Sequence, residues 1–260
     1  MHGSDYKILE YTIKINAWRG IKTPVCYFAM AVVDGQLIIS GGVDSEGRFS
    51  DQVWVLDTCN RSWTQSFPPL PSVRRWHTAV GYKRWMLVVG GYRKQSVEVL
   101  DTAHKKWYSI PSPLGDLMRP SLAVIQDVLY VMEQQSTHSI PIPMLLSDAI
   151  AQGQVKDATS KPLLTKWLPL PDISTVSSAI VAYHSLLLAV GGKDGGLHGL
   201  PSSAISMYLP LYERWVKVSE LPTERSGCAC VIVPETEELM IIGGMGKKNV
   251  NIPSINVCTS

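Results

Sequence analysis

Arginine is the residue type whose placement in this chain suggests chemistry. Arg75, Arg119 and Arg225 each stand shortly ahead of a strand-like apolar run, and Arg74 lies beside the first of them. Arg48, Arg93 and Lys193 follow Gly-Gly pairs, and Tyr27 precedes the earliest inner run. Guanidinium groups gathered at one place suit planar, two-pronged recognition of carboxylates or phosphates. The competing reading is that arginines ahead of strands brace neighbouring loops. The usual marks of catalysis are missing from the sequence. It has no Gly-x-Ser-x-Gly elbow and no His-Glu-x-x-His pair, and Gly246-Lys247-Lys248 has only the tail of a phosphate loop. The 6 histidines, at 2, 77, 104, 138, 184 and 198, form no ligand spacing. The 5 cysteines, at 26, 59, 228, 230 and 258, include no Cys-x-x-Cys pair and read as free thiols. Cys228 and Cys230 share one face of a strand and read as packed small side chains rather than a metal pair. Asn60-Arg61-Ser62 matches a glycosylation sequon but reads as an ordinary turn.

The elements that would hold these residues repeat along the chain. At 86–107 an apolar run ends in Gly90-Gly91, a second ends in Asp101, and Trp107 follows. The pattern is written again at 37–63 with Gly41-Gly42, Asp57 and Trp63, and at 186–215 with Gly191-Gly192, Tyr208 and Trp215. It returns in part at 239–257 with Gly243-Gly244 and Ile255-Asn-Val257. Such self-similarity marks a repeat architecture. Each unit predicts four short strands, and blades of this kind stack because one such sheet cannot bury both faces alone. The glycines allow positive φ or close backbone approach. Asp57 and Asp101 cap turns, and each Trp brings apolar surface to the space between blades.

These residues resemble the kelch family of β-propellers. The Gly-Gly pairs, the Asp-to-Trp spacing and Arg74-Arg75-Trp76-His77 all match its repeat, over essentially the whole chain. In wording the chain is similar to the multi-repeat kelch proteins of sponges and cnidarians. The resemblance implies an all-β propeller with repeats at about 22–66, 72–110, 119–170, 176–218 and 226–260, the last completed by 7–21 and its Trp18 strand. A six-bladed array cut at both ends is the competing expectation. It also implies that His77 hydrogen-bonds within its blade. In the third repeat Glu133-Gln134 replaces Gly-Gly, Ile140-Pro-Ile-Pro replaces the usual third strand, residues from Leu145 form a short helix, and 152–165 read as a polar loop.

With 260 residues, 45% of them hydrophobic, and a net charge of +2, the chain can bury a large core and lacks the charge of a general nucleic-acid or membrane binder. No run is long enough to span a membrane and no signal peptide opens the chain, so a cytoplasmic protein is expected. If strand one is innermost, the loop entering it and the loop after Gly-Gly open on the same face. That face would carry Tyr27, Arg48, Arg74, Arg75, Arg93, Arg119, Lys193 and Arg225, with Arg75, Arg119 and Arg225 ringing the channel mouth. The expected function is a non-catalytic module binding an acidic or phosphorylated peptide or protein, as an adaptor or scaffold, with no cofactor and no metal. A propeller enzyme acting on a small sugar-like substrate is the alternative. Kelch resemblance also brings actin binding into view, though no residue argues for it. The BTB and BACK segments of ligase adaptors are not seen in the sequence.

Overall fold

The structure is a computed structural model that describes residues 7–12, 17–112, 114–153, 166–196, 198–233, 235–252 and 255–258. Contacts group the chain into two compact units, Met1–Arg119 with Ala149–Lys161 and Pro120–Asp148 with Pro162–Ser260.

In the first unit β1 (Lys7–Thr12) pairs with β2 (Ala17–Lys22). A four-stranded antiparallel sheet follows, made of β3 (Ala29–Val33), β4 (Gln36–Ser40), β5 (Val53–Asp57) and β6 (Ser62–Thr64). The next has β7 (Thr78–Tyr82), β8 (Trp85–Val89), β9 (Ser96–Asp101) and β10 (Lys106–Pro111) in the same consecutive order. The two sheets bury a shared core of Ala29, Ala31, Ile38 and Val55 against Ala79, Met86, Val88 and Leu100. Their inner strands come very close at Gly81, where a Cβ would lie 1.9 Å from the Val32 carbonyl oxygen.

The second unit holds β11 (Ser121–Ile125), β12 (Val128–Glu133), β13 (Ser136–Pro141) and β14 (Leu168–Leu170) in one sheet. Helix α1 (Ile142–Gly153) follows β13 in the chain. The short strands β15 (Thr175–Val176), β18 (Lys193–Asp194) and β19 (Leu200–Pro201) pair beside a sheet of β16 (Ala179–Tyr183), β17 (Leu186–Val190), β20 (Ala204–Leu209) and β21 (Arg214–Glu220). The last sheet has three strands, β22 (Ala229–Ile232), β23 (Leu239–Ile242) and β24 (Ile255–Cys258). Residues of β11, β16 and β17 share one apolar cluster, and β17, β20 and β23 share the next.

The repeated residues do the mechanical work expected of them. Trp63 donates its indole N–H to the Lys22 carbonyl at 2.8 Å, Trp107 to Pro68 at 2.9 Å, and Trp215 to Pro171 at 2.9 Å. Each bond ties an outermost strand to the chain leaving the preceding sheet and is worth about 1 kcal/mol. The Asp57 carboxylate accepts the backbone N–H groups of Cys59 and Asn60, and that of Asp101 accepts those of Ala103 and His104.

The third repeat departs from its sequence reading. Its third strand is Ser136–Pro141, reached by a tight turn through Gln134 at φ 53°, and the helix already begins at Ile142. Polar residues at 136–139 leave this strand without an apolar run, although Thr137 and Ile140 are buried. The insertion therefore sits between strands three and four, and its polar loop at 154–165 lies outside the described residues.

Candidate functional site

One backbone feature recurs two residues ahead of each inner strand. Tyr27, Trp76 and Arg119 in the first unit adopt φ of 53°, 58° and 55°, and Ser177 and Gly227 in the second adopt 57° and 61°. A side-chain-bearing residue in this region is strained by about 1–2 kcal/mol. Hydrogen bonds hold it there. The Trp76 N–H donates to Tyr27 O at 3.3 Å and the Arg119 N–H to Trp76 O at 2.9 Å, while Gly227 N–H donates to Ser177 O at 3.2 Å. Successive loops are thus stapled backbone to backbone.

In the first unit this staple carries a cluster of rings and cations. The Arg75 guanidinium lies 4.1 Å from the Phe49 ring centroid, 4.2 Å from Trp76 and 4.9 Å from Tyr92. Arg119 stacks on Trp76 at 4.9 Å and Arg93 on Tyr92 at 5.2 Å. Trp76 meets Tyr27 edge-on at 6.0 Å and Tyr92 edge-on at 5.9 Å. Phe49 and Tyr92 come from the loops after Gly-Gly, and Arg75 and Trp76 from the loop entering β7, so these two kinds of loop converge as expected. Tyr92 N–H also donates to Arg75 O at 3.0 Å. Tyr27 is 56% exposed and Phe49 41%. Among the described residues no carboxylate pairs with Arg75, Arg93 or Arg119. Each stacked guanidinium contributes up to about 1–2 kcal/mol and holds its planar N–H edge ready for an acceptor.

The other sequence candidates lie elsewhere. Arg74 and Arg225 are buried, at 1% and 0% exposure, which removes them from an exposed contact surface. Arg74 donates to Gly90 O at 2.8 Å and pairs with Glu98 at 2.8 Å, and Arg225 donates to Gly243 O at 3.0 Å. Both are equivalent braces beneath the Gly-Gly turns, four residues ahead of β7 and β22. Arg75, Arg119 and Arg225 therefore do not form one recurring position, because Arg119 corresponds to Trp76 and Arg225 to Arg74. Arg48 is exposed but held in its own loop by Asp44 and Glu46, both at 2.8 Å. Hydrogen bonds from Arg48 hold the Asp44 carboxyl below its ordinary range. Lys193 is half-buried in the second unit. Phe49, Trp76 and Tyr92 escaped the sequence reading. The aromatic beside Arg75 was the available signal, but the other two lie in loops of different length.

Beneath the cluster, His77 Nε2 and Ser40 Oγ lie 3.2 Å apart. This bond joins two sheets, not one blade as the resemblance implied. Burial pushes the His77 imidazole down to about 3, and the Arg74 charge adds to that. Burial also raises both the Cys228 and the Cys230 thiol, and the two pack against the apolar cluster of β17 and β23. Among the described residues no three His, Cys, Asp or Glu side chains gather in a ligand-like group. No helix among them is long and apolar enough to cross a membrane.

The family model of the Kelch motif matches residues 24–66, which contain the Gly41-Gly42 pair, Asp57 and Trp63. The solved structure of YjhT superposes over 99% of this chain and 89% of its own, with a TM-score of 0.75 at 15% identity. The fold is a kelch-type β-propeller. The kelch repeat and BTB domain-containing protein A55 of vaccinia virus (strain Western Reserve) is 24% identical over 83% of this chain and 38% of its own length. The human Kelch-like protein 23 is 23% identical over 79% of this chain and 35% of its own. The chain thus spans well under half the length of these curated relatives.

Proposed function

We propose that this kelch propeller is a non-catalytic interaction module whose first unit binds an acidic or phosphorylated segment of a partner protein. The observation that carries the reading is the stack of Arg75, Arg93 and Arg119 on Trp76 and Tyr92 without a carboxylate of the described chain beside it. Three cations held close together repel one another, and an anionic partner relieves that repulsion. Exposed Tyr27 and Phe49 flank the stack with apolar surface of the kind that anchors interfaces.

The vaccinia virus relative carries BTB in its name, which supports an adaptor or scaffold role in which this propeller supplies recognition. Free thiols at Cys26, Cys59, Cys228 and Cys230 suit a cytoplasmic setting. The test is an array of acidic, phosphorylated and neutral peptides probed with wild type and with an Arg93→Ala/Arg119→Ala variant whose melting temperature is checked. Both substitutions are at exposed positions, so the variant is expected to fold. Capture confined to anionic peptides and lost in the variant supports the reading. Equal capture of neutral peptides, or equal capture by both proteins, overturns it.

A further inference from the structure

The three stacked arginines are not equivalent. The Arg75 guanidinium lies 4.1, 4.2 and 4.9 Å from the ring centroids of Phe49, Trp76 and Tyr92, so three aromatic side chains surround one cation. Among the described residues Arg119 stacks on Trp76 alone and Arg93 on Tyr92 alone. Both of these are exposed, whereas Arg75 is half-buried. Its Nε is sealed from solvent and has no hydrogen-bond partner among the described residues. An N–H group that gives up water without gaining an acceptor is costly, so attraction to the ring faces must hold this side chain in place. The backbone adds to the hold, because Arg75 O accepts the Tyr92 N–H at 3.0 Å and the Trp76 N–H donates to Tyr27 O at 3.3 Å. The two rings that carry the exposed arginines are thus the same two that Arg75 grips.

Resting on the acidic-partner reading above, we infer that Arg75 is a positioning residue of the site rather than a contact. It is the chain's own cation inside an aromatic cage. By holding Trp76 and Tyr92 it sets the planes of Arg119 and Arg93, and those two meet the anion. Lysine cannot take its place, because an ammonium is a compact point charge without a flat face to lie against a ring. The Arg75 charge adds to the field at the site, but charge alone does not perform this role.

The experiment measures fluorescence anisotropy of a labelled poly-Glu peptide with wild type, Arg75→Lys, Arg75→Ala and Arg93→Ala/Arg119→Ala, each checked by thermal melting. Arg75→Lys, which keeps the charge, is expected to bind about tenfold more weakly than wild type. The Arg93→Ala/Arg119→Ala variant is expected to lose binding. Guanidinium chloride well below denaturing concentrations is expected to restore binding to Arg75→Ala by refilling the cage, while sodium chloride at equal ionic strength weakens it by screening. Wild type, whose cage is filled by Arg75, is expected to respond alike to both salts. Wild-type affinity in Arg75→Lys, beside a loss in the double variant, overturns the positioning role and leaves the acidic-partner reading standing. A loss in Arg75→Lys with full binding by the double variant makes Arg75 the contact and also overturns the role. Guanidinium that does no more than sodium for a folded Arg75→Ala overturns it as well, and if that variant does not fold, Arg75→Lys alone decides. Binding of the peptide by none of the proteins overturns both the role and the reading beneath it.

Discussion

His77 joins two sheets of the first unit through Ser40, and its burial, with the nearby Arg74 charge, makes it sensitive to acid. The groups facing it include the Arg74 cation, which pairs with buried Glu98. In the folded chain the imidazole stays neutral down to about 3, whereas in the unfolded chain it takes up a proton near 6.5. Between those values the unfolded state binds more protons, so stability is full above the unfolded value and falls as pH drops through this window. Urea denaturation across a pH series is expected to show that loss already above the range where carboxylates titrate. His77→Gln, which can still bond Ser40, is expected to flatten the slope there. An unchanged slope would assign the effect to other groups. At this scale the sequence was legible where chemistry is local, as with Asp57 and Asp101 at their turns. It was not legible for the arginines. Arg74 and Arg75 are neighbours, yet one is sealed beneath a turn and the other lies half-buried against the Phe49, Trp76 and Tyr92 rings, a difference decided by strand register and loop length.

The Gly41-Gly42 pair works through what the neighbouring loop does to it. Gly41 sits at φ 62°, and a Cβ there would lie 2.5 Å from the Arg74 carbonyl oxygen and 2.7 Å from His77 Cε1. Gly47 has φ 81° and open space around it. Alanine at Gly47 is expected to cost about 1–2 kcal/mol for the backbone alone. Alanine at Gly41 adds overpacking against backbone, about 1–3 kcal/mol more. Denaturant midpoints of the two variants check the difference, and equal losses would mean that the close approach does not hold the sheets. The same contrast explains what sequence could say about elements. Val, Ile and Leu runs ahead of Gly-Gly announced β4, β8, β17 and β23. The polar strand β13 carries no such run, and Gln134 makes its turn at positive φ where the repeat has glycine.

The two units offer different faces at equivalent positions. Where the first has Tyr27, Trp76 and Arg119, the second has Ser177 and Gly227, with the same backbone φ and no ring to stack on. Lys247 of the second unit is already paired with Glu224 at 2.8 Å. The repeat pattern predicts equivalent backbones, and it found them. Pattern alone could not say that the cations would concentrate in one unit, because stacking depends on which loop residues happen to be aromatic. Anionic-peptide binding is therefore expected to survive Lys193→Ala and Lys247→Ala unchanged and to weaken about tenfold with Arg119→Ala. It should also weaken steadily as sodium chloride is raised, because exposed cations are screened within about 10 Å at moderate ionic strength. Titrations of the three variants at two salt concentrations check both statements together. A loss shared equally by all three would mean that the peptide responds to the overall field of the protein rather than to the stacked arginines. A loss confined to Arg119→Ala, shrinking as salt rises, would assign recognition to the first unit.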